Sequence, residues 1–172
     1  MIAGKHGFSS EAATVGAAIS RNINLSESSY QYFEGKSLQA ELDFTPEQIN
    51  DAVDELAVRG LVNVHKEIGS GDFDFGFFEL TYAFYYTFSE YLNETFDPDK
   101  DSNQVAATIA SHKQISGQQL SEELDLSPLR INCAVDYLSD YGVIKTIKTL
   151  GTGPYNFSEA NATSATRRFI RK

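Results

Sequence analysis

The segment SLQAELDFTPEQINDAVDELAVRGLVNVHKEIGSGDFDFGFFELT, residues 37–81, lies without a gap over QLSEELDLSPLRINCAVDYLSDYGVIKTIKTLGTGPYNFSEANAT, residues 119–163. From Leu38/Leu120 to Thr81/Thr163, 17 of 44 aligned positions are identical. A self-match of this length and density means that one structural unit occurs twice in the chain.

The shared positions read as structure. Thr45 and Ser127 are N-cap residues, Pro46 and Pro128 sit at the first helical position where a missing N–H costs nothing, and Gln48 completes a capping box in the first copy. Ile49, Ala52, Val53 and Leu56, matched by Ile131, Ala134, Val135 and Leu138, follow the i, i+3, i+4, i+7 spacing of a buried helical stripe. Gly60 and Gly142 supply the left-handed residue that ends each helix. A shorter helix is expected upstream of each, over 37–42 and 117–124, and the pair forms a helix-turn-helix. Downstream, the β-rich stretches 61–66 and 143–148 run into the Gly-x-Gly tips Gly69–Gly71 and Gly151–Gly153, and strands return around 73–78 and 155–157.

A helix-turn-helix followed by a hairpin resembles the winged-helix superfamily, here as two units in tandem covering nearly the whole chain. The resemblance implies an α+β, mainly α fold in which each unit has a three-helix core, a β-hairpin wing and a C-terminal helix. The first helices fall at 11–23 and 103–113, the final ones at 81–95 and 163–171, with about eight extra residues near 26–34 in the first copy. The expected domains are 1–96, with an aromatic C-terminal helix; an acidic linker, 97–102; and 103–172, with a basic tail.

A hydrophobic content of 41% is enough to build packed cores, and no low-complexity tract argues for disorder. No apolar run reaches the ~18 residues of a membrane span, and the first residues lack the apolar core of a signal peptide, so no membrane association and a cytoplasmic location are expected. The single cysteine, Cys133, agrees with a reducing compartment. His6, His65 and His112 are scattered and share no metal-like spacing with Cys133, so no catalytic residues, metal or cofactor are expected. Asp97-x-Asp99-x-Asp101 opens like a calcium loop, but Ser102 stands where Gly is needed and Thr108 where Glu is needed.

The formal net charge of −10 is unevenly spread: residues 1–102 carry 6 basic and 18 acidic side chains, residues 103–172 carry 8 and 6. DNA-binding members of the superfamily insert the second helix of the pair into the major groove. In the first copy that helix shows Glu47, Gln48, Asn50 and Asp51, then Asp54 and Glu55, which would set carboxylates against phosphates. In the second copy the matching residues are Leu129, Arg130, Asn132 and Cys133. Arg130 suits guanine, Asn132 adenine and Leu129 a thymine methyl; the alternative has Arg130 solvated and Leu129 packed on protein. Lys145 and Lys148 on the second wing, and Arg167, Arg168, Arg171 and Lys172 in the tail, are candidate phosphate contacts or plain solubilising charge.

Residues 72–92, DFDFGFFELTYAFYYTFSEYL, carry more aromatic rings than one small core is expected to bury. Phe77, Tyr82, Tyr85 and Tyr86 are therefore candidate interface residues, for a homodimer, another protein partner or close packing of the two domains. An aromatic ligand pocket is the sharper alternative, without convergent polar groups to support it. Two functions remain open. One is a transcriptional regulator that contacts double-stranded DNA through the second unit and assembles through the first. The other is an acidic tandem adaptor that binds proteins and no DNA.

Overall fold

A computed structural model describes residues 7–67, 69 and 71–171. The chain is α+β and mainly helical, and it divides into two compact units: residues up to Ile23 with Tyr30–Phe96, and Asn24–Ser29 with Asp97–Lys172. Each unit runs helix, short strand, helix, helix, strand, strand, helix.

In the first unit these are α1 (Ser10–Arg21), β1 (Tyr32–Phe33), α2 (Gly35–Glu41), α3 (Pro46–Val58), β2 (Val62–His65), β3 (Phe77–Leu80) and α4 (Tyr82–Thr87). The second unit has α5 (Pro98–His112), β4 (Gln114–Ile115), α6 (Gly117–Leu124), α7 (Pro128–Asp140), β5 (Ile144–Ile147), β6 (Glu159–Ala162) and α8 (Ser164–Phe169). Both sheets are antiparallel with the last strand in the centre, in the orders β1-β3-β2 and β4-β6-β5. The registers match as well: Asn63 faces Glu79 as Lys145 faces Asn161.

The caps lie where the repeat puts them. Thr45 accepts from Gln48 N while Gln48 Oε1 accepts from Thr45 N, closing the capping box of α3. Ser127 accepts from Arg130 N at the start of α7. Gly60 and Gly142 follow the two helices at φ +72° and +66°, values that favour a residue without Cβ. The stripe Ile49, Ala52, Val53 and Leu56 is buried in one unit, and Ile131, Ala134, Val135 and Leu138 in the other.

Four expectations need correction. The acidic stretch 97–102 is not a linker: Asp97 caps α5 by accepting from Lys100 N at 2.9 Å, Pro98 is its first residue, and Asp101 and Ser102 are buried. Asp-Pro here is an N-cap and first-turn signal rather than a turn between domains. The stretch 24–29 belongs with the second unit, where Ser127 Oγ donates to Leu25 O. With these boundaries the second unit holds nine basic and ten acidic residues, so its chain is close to neutral rather than basic. Finally, α4 stops at Thr87 and is followed by a 3-10 turn, Ser89–Tyr91, instead of continuing to residue 95.

The first unit also buries more of its aromatic run than the sequence suggests. Phe73, Phe75, Phe78, Phe84, Tyr85 and Phe88 are all buried. Phe88 stacks on Phe84 at 4.7 Å and on Phe8 at 5.6 Å between centroids. Its ring lies on bare backbone of α1, where a Cβ on Gly16 would fall 2.2 Å from Cζ. A glycine inside a helix is unfavourable by about 1 kcal/mol against alanine, and here it makes room for a phenylalanine.

Candidate functional site

In both units the hairpin folds back over the helix pair. A Cβ on Gly35, at the start of α2, would meet the Phe73 ring at 2.4 Å, and one on Gly117, at the start of α6, would meet the Tyr155 ring at 2.4 Å. Aromatic rings of the returning segments therefore seat on glycines that open the shorter helices. The turns at the tips are made by Gly69 and Gly71, and by Gly151 and Gly153, all at positive φ. Of the other residues named above, His6 and Lys172 lie outside the described residues.

An asparagine of the longer helix locks each loop. Asn132 Nδ2 donates to Pro154 O at 2.8 Å and its Oδ1 accepts from Asn156 N at 3.0 Å. Asn50 makes the same pair of bonds in the first unit, to Asp72 O at 3.3 Å and from Asp74 N at 3.1 Å. Asn132 is fully buried. It is a structural clamp, with its amide already satisfied, and is not placed to read adenine.

The neighbouring residues of α7 are equally committed. Leu129 is fully buried, so no thymine methyl reaches it, and Cys133 is buried too. Arg130 holds Asp101 through Nε to Oδ2 at 2.7 Å and Nη2 to Oδ1 at 2.6 Å. The Asp101 side chain is 1% exposed and that of Arg130 26%. A planar guanidinium engaged in this bidentate way has its fork occupied by the carboxylate and not free for guanine. Arg130 and Asn132, expected to read bases from the second unit, are thus engaged by partners within that unit.

The basic residues expected at phosphates lie elsewhere. Lys145 and Lys148 are exposed on and beyond β5, and Arg167 and Arg168 are exposed on α8. Among the described residues, none of these four takes part in an ion pair. Lys145 and Arg168 border a groove of about 920 Å³ that also contacts Ser139, Thr146 and Ser164.

In the first unit α3 leaves Glu47, Asp51 and Asp54 exposed, whereas Gln48 and Asn50 are used internally. Glu55 is also engaged: its carboxylate accepts from Ser9 N at 3.1 and 3.3 Å and lies 3.3 Å from Arg59. Hydrogen bonding to Ser9, then the Arg59 charge, hold it below the ordinary carboxylate range against a desolvation cost.

The candidate interface aromatics separate. Tyr85 is wholly buried and its hydroxyl accepts from Gln31 N at 3.2 Å, so it is a core residue of the first unit and not an interface residue. Phe77, Tyr82 and Tyr86 are half-buried. Tyr82 and Tyr86 meet edge to face at 5.8 Å, and Phe77 stacks on His65 at 4.5 Å. Tyr32, 67% exposed, packs edgewise on Phe77.

Among the described residues no group of three or more His, Cys, Asp or Glu side chains is arranged to hold a metal ion. Among the described residues no helix is long and apolar enough to cross a membrane. No family model, curated protein or solved structure matches the chain. Sequence reading missed the paired asparagine clamps, although a signal was present: Asn50 and Asn132 are identical between copies whose neighbouring surface residues differ.

Proposed function

We propose that the chain is a protein-interaction adaptor built from two units of winged-helix type, with the exposed acidic face of α3 docking a basic partner. The common order of elements, the hairpin after each helix pair and the matching strand orders support the winged-helix reading. One observation carries the functional choice. The longer helix offers base-reading side chains in neither unit: Leu129 and Asn132 are buried, Arg130 is held by Asp101, and α3 presents Glu47, Asp51 and Asp54. Carboxylates facing phosphates are repelled, and the same carboxylates steer a basic protein surface toward the helix.

The test is affinity purification of the full chain beside an E47K/D51K/D54K variant, whose melting curve checks that the fold is kept. A defined basic partner retained by the chain and lost by the variant supports the reading. Retention by the variant, or sequence-specific binding of duplex DNA by the full chain across a salt series, overturns it. Phe77, Tyr82 and Tyr86 are the candidate surface for self-association, read by sedimentation of the same samples.

A DNA-contacting second unit is the second reading, favoured by the four exposed cations Lys145, Lys148, Arg167 and Arg168. With no base-reading side chain on α7, such contact is to phosphates. It is sequence-independent and weakens steeply as salt rises.

A further inference from the structure

The outer edge of β5 is open. In the order β4-β6-β5 this strand has a single neighbour, and its residues Ile144, Lys145 and Thr146 border the groove that Arg168 also lines. Which groups face outward follows from the ladder. Ala162 N donates to Lys113 O on the β4 side, so the amide and carbonyl of the preceding Asn161 point to β5. Its register partner Lys145 pairs inward, and Ile144 and Thr146 direct N–H and C=O outward by alternation.

The surroundings of this edge are cationic. Lys145, Lys148 and Arg168 are exposed and unpaired among the described residues, and no carboxylate lines the groove. Glu159, on the same face of the sheet as Lys145, is bound by Gln114 Nε2. Ile147 is 47% exposed and Leu150 fully exposed just beyond the strand. Lysines along an edge disfavour its pairing with another copy of itself, while leaving it open to a strand of opposite charge.

The first unit supplies an internal comparison. At the positions of Lys145, Ser164 and Arg168 it carries Asn63, Tyr82 and Tyr86. The corresponding edge, β2, is therefore flanked by a neutral amide and two packed rings instead of cations and a hydroxyl. Lys148 has a counterpart in Lys66, so the two edges differ by the cations Lys145 and Arg168.

We propose that the open edge of β5 docks an extended acidic segment of a partner protein, which adds to the sheet as a fourth strand. Main-chain bonds to Ile144 and Thr146 provide the pairing, Lys145, Lys148 and Arg168 select acidic side chains, and Ile147 and Leu150 offer apolar contact. A phosphate backbone uses the cations but leaves the strand's N–H and C=O groups and the two apolar side chains without matching partners, so a peptide fits the surface better than a nucleic acid. This surface lies on the second unit and stands independently of the acidic face of α3.

The test is hydrogen exchange on the isotope-labelled full chain, with a blocked peptide of alternating Glu and Val as probe. Exchange of the Ile144 and Thr146 amides is expected to slow by about tenfold at saturation, with the β2 amides unchanged. An alternating Lys and Val peptide is expected to give no protection, and K145E/R168E to abolish it. T146P, which removes an outward N–H at an edge position, is expected to weaken binding while leaving the cations in place. Equal protection by duplex DNA or by a peptide of Glu alone, undiminished binding by T146P, or no protection at all would each overturn the proposal.

Discussion

Arg130 grips Asp101 with two short hydrogen bonds, 2.7 and 2.6 Å, and so ties the start of α7 to the first turn of α5. Asp101 is 1% exposed, and a carboxylate buried to that degree needs its partner. Arg130→Ala is expected to destabilise the protein by about 3 kcal/mol, because it strands a buried charge. Arg130→Lys is expected to recover only part of this, since an ammonium cannot reproduce the two-pronged geometry. Urea denaturation of the full chain measures both. A solvated, base-reading arginine would instead leave stability unchanged on substitution and alter DNA affinity alone.

The two asparagine clamps make a graded prediction. Asn132 is fully buried with bonds of 2.8 and 3.0 Å, while Asn50 is partly exposed with bonds of 3.3 and 3.1 Å. Asn132→Ala is expected to cost about 2–3 kcal/mol and Asn50→Ala about 1 kcal/mol, because removal leaves main-chain groups short of partners most severely where water is excluded. Amide exchange at Asn156 and Asp74 reports the local release directly. Equal costs, or a larger one at Asn50, would contradict the assignment.

Much of the fold was legible because capping and periodicity are local. Thr45-Pro46 with Gln48, Ser127-Pro128, and the stripes from Ile49 to Leu56 and from Ile131 to Leu138 carry their own start, face and stop, and the duplication shows them twice. What was not legible depends on contacts remote in sequence. Arg130 looks solvent-facing from helical spacing alone, yet its partner lies 29 residues upstream. Asn132 reaches a loop 22 residues downstream. Asp97-Pro98 was ambiguous even locally, since the same pair opens turns and helices. Among the interface candidates Tyr85 is a core residue through contacts that helical spacing does not reveal, its ring stacking on Tyr30 and its hydroxyl accepting from Gln31 N, and the close approach of Phe88 to Gly16 is equally remote in sequence.

That close approach is itself testable. Phe88 is fully buried and stacked on Phe8 and Phe84, so its ring has little freedom to yield. Gly16→Ala gains helix propensity and still is expected to destabilise the protein, by about 2 kcal/mol, because overpacking outweighs propensity. A double variant G16A/F88L, which shortens the intruding ring, is expected to lose less than the sum of the two single changes. Additive losses in thermal melts would mean that the two sites do not share space.

Glu55 gives the protein an acid-sensitive contact with a definite sign. Its carboxylate accepts from Ser9 N, the residue whose hydroxyl caps α1 by accepting from Ala12 N at 3.1 Å, and its pKa is lowered from 4.5. A carboxylate depressed in the folded state contributes stability that is fully present above its unfolded pKa and is lost as pH falls through the folded one. Glu55→Gln is therefore expected to be less stable than the parent at pH 7, by an amount constant down to about pH 5.5 and shrinking below it as the parent carboxylate takes up its proton. Urea midpoints of the two proteins from pH 7 to pH 3 are expected to converge toward the acid end. Parallel curves across that range would show that the Ser9 and Arg59 contacts do not favour the charged form in solution.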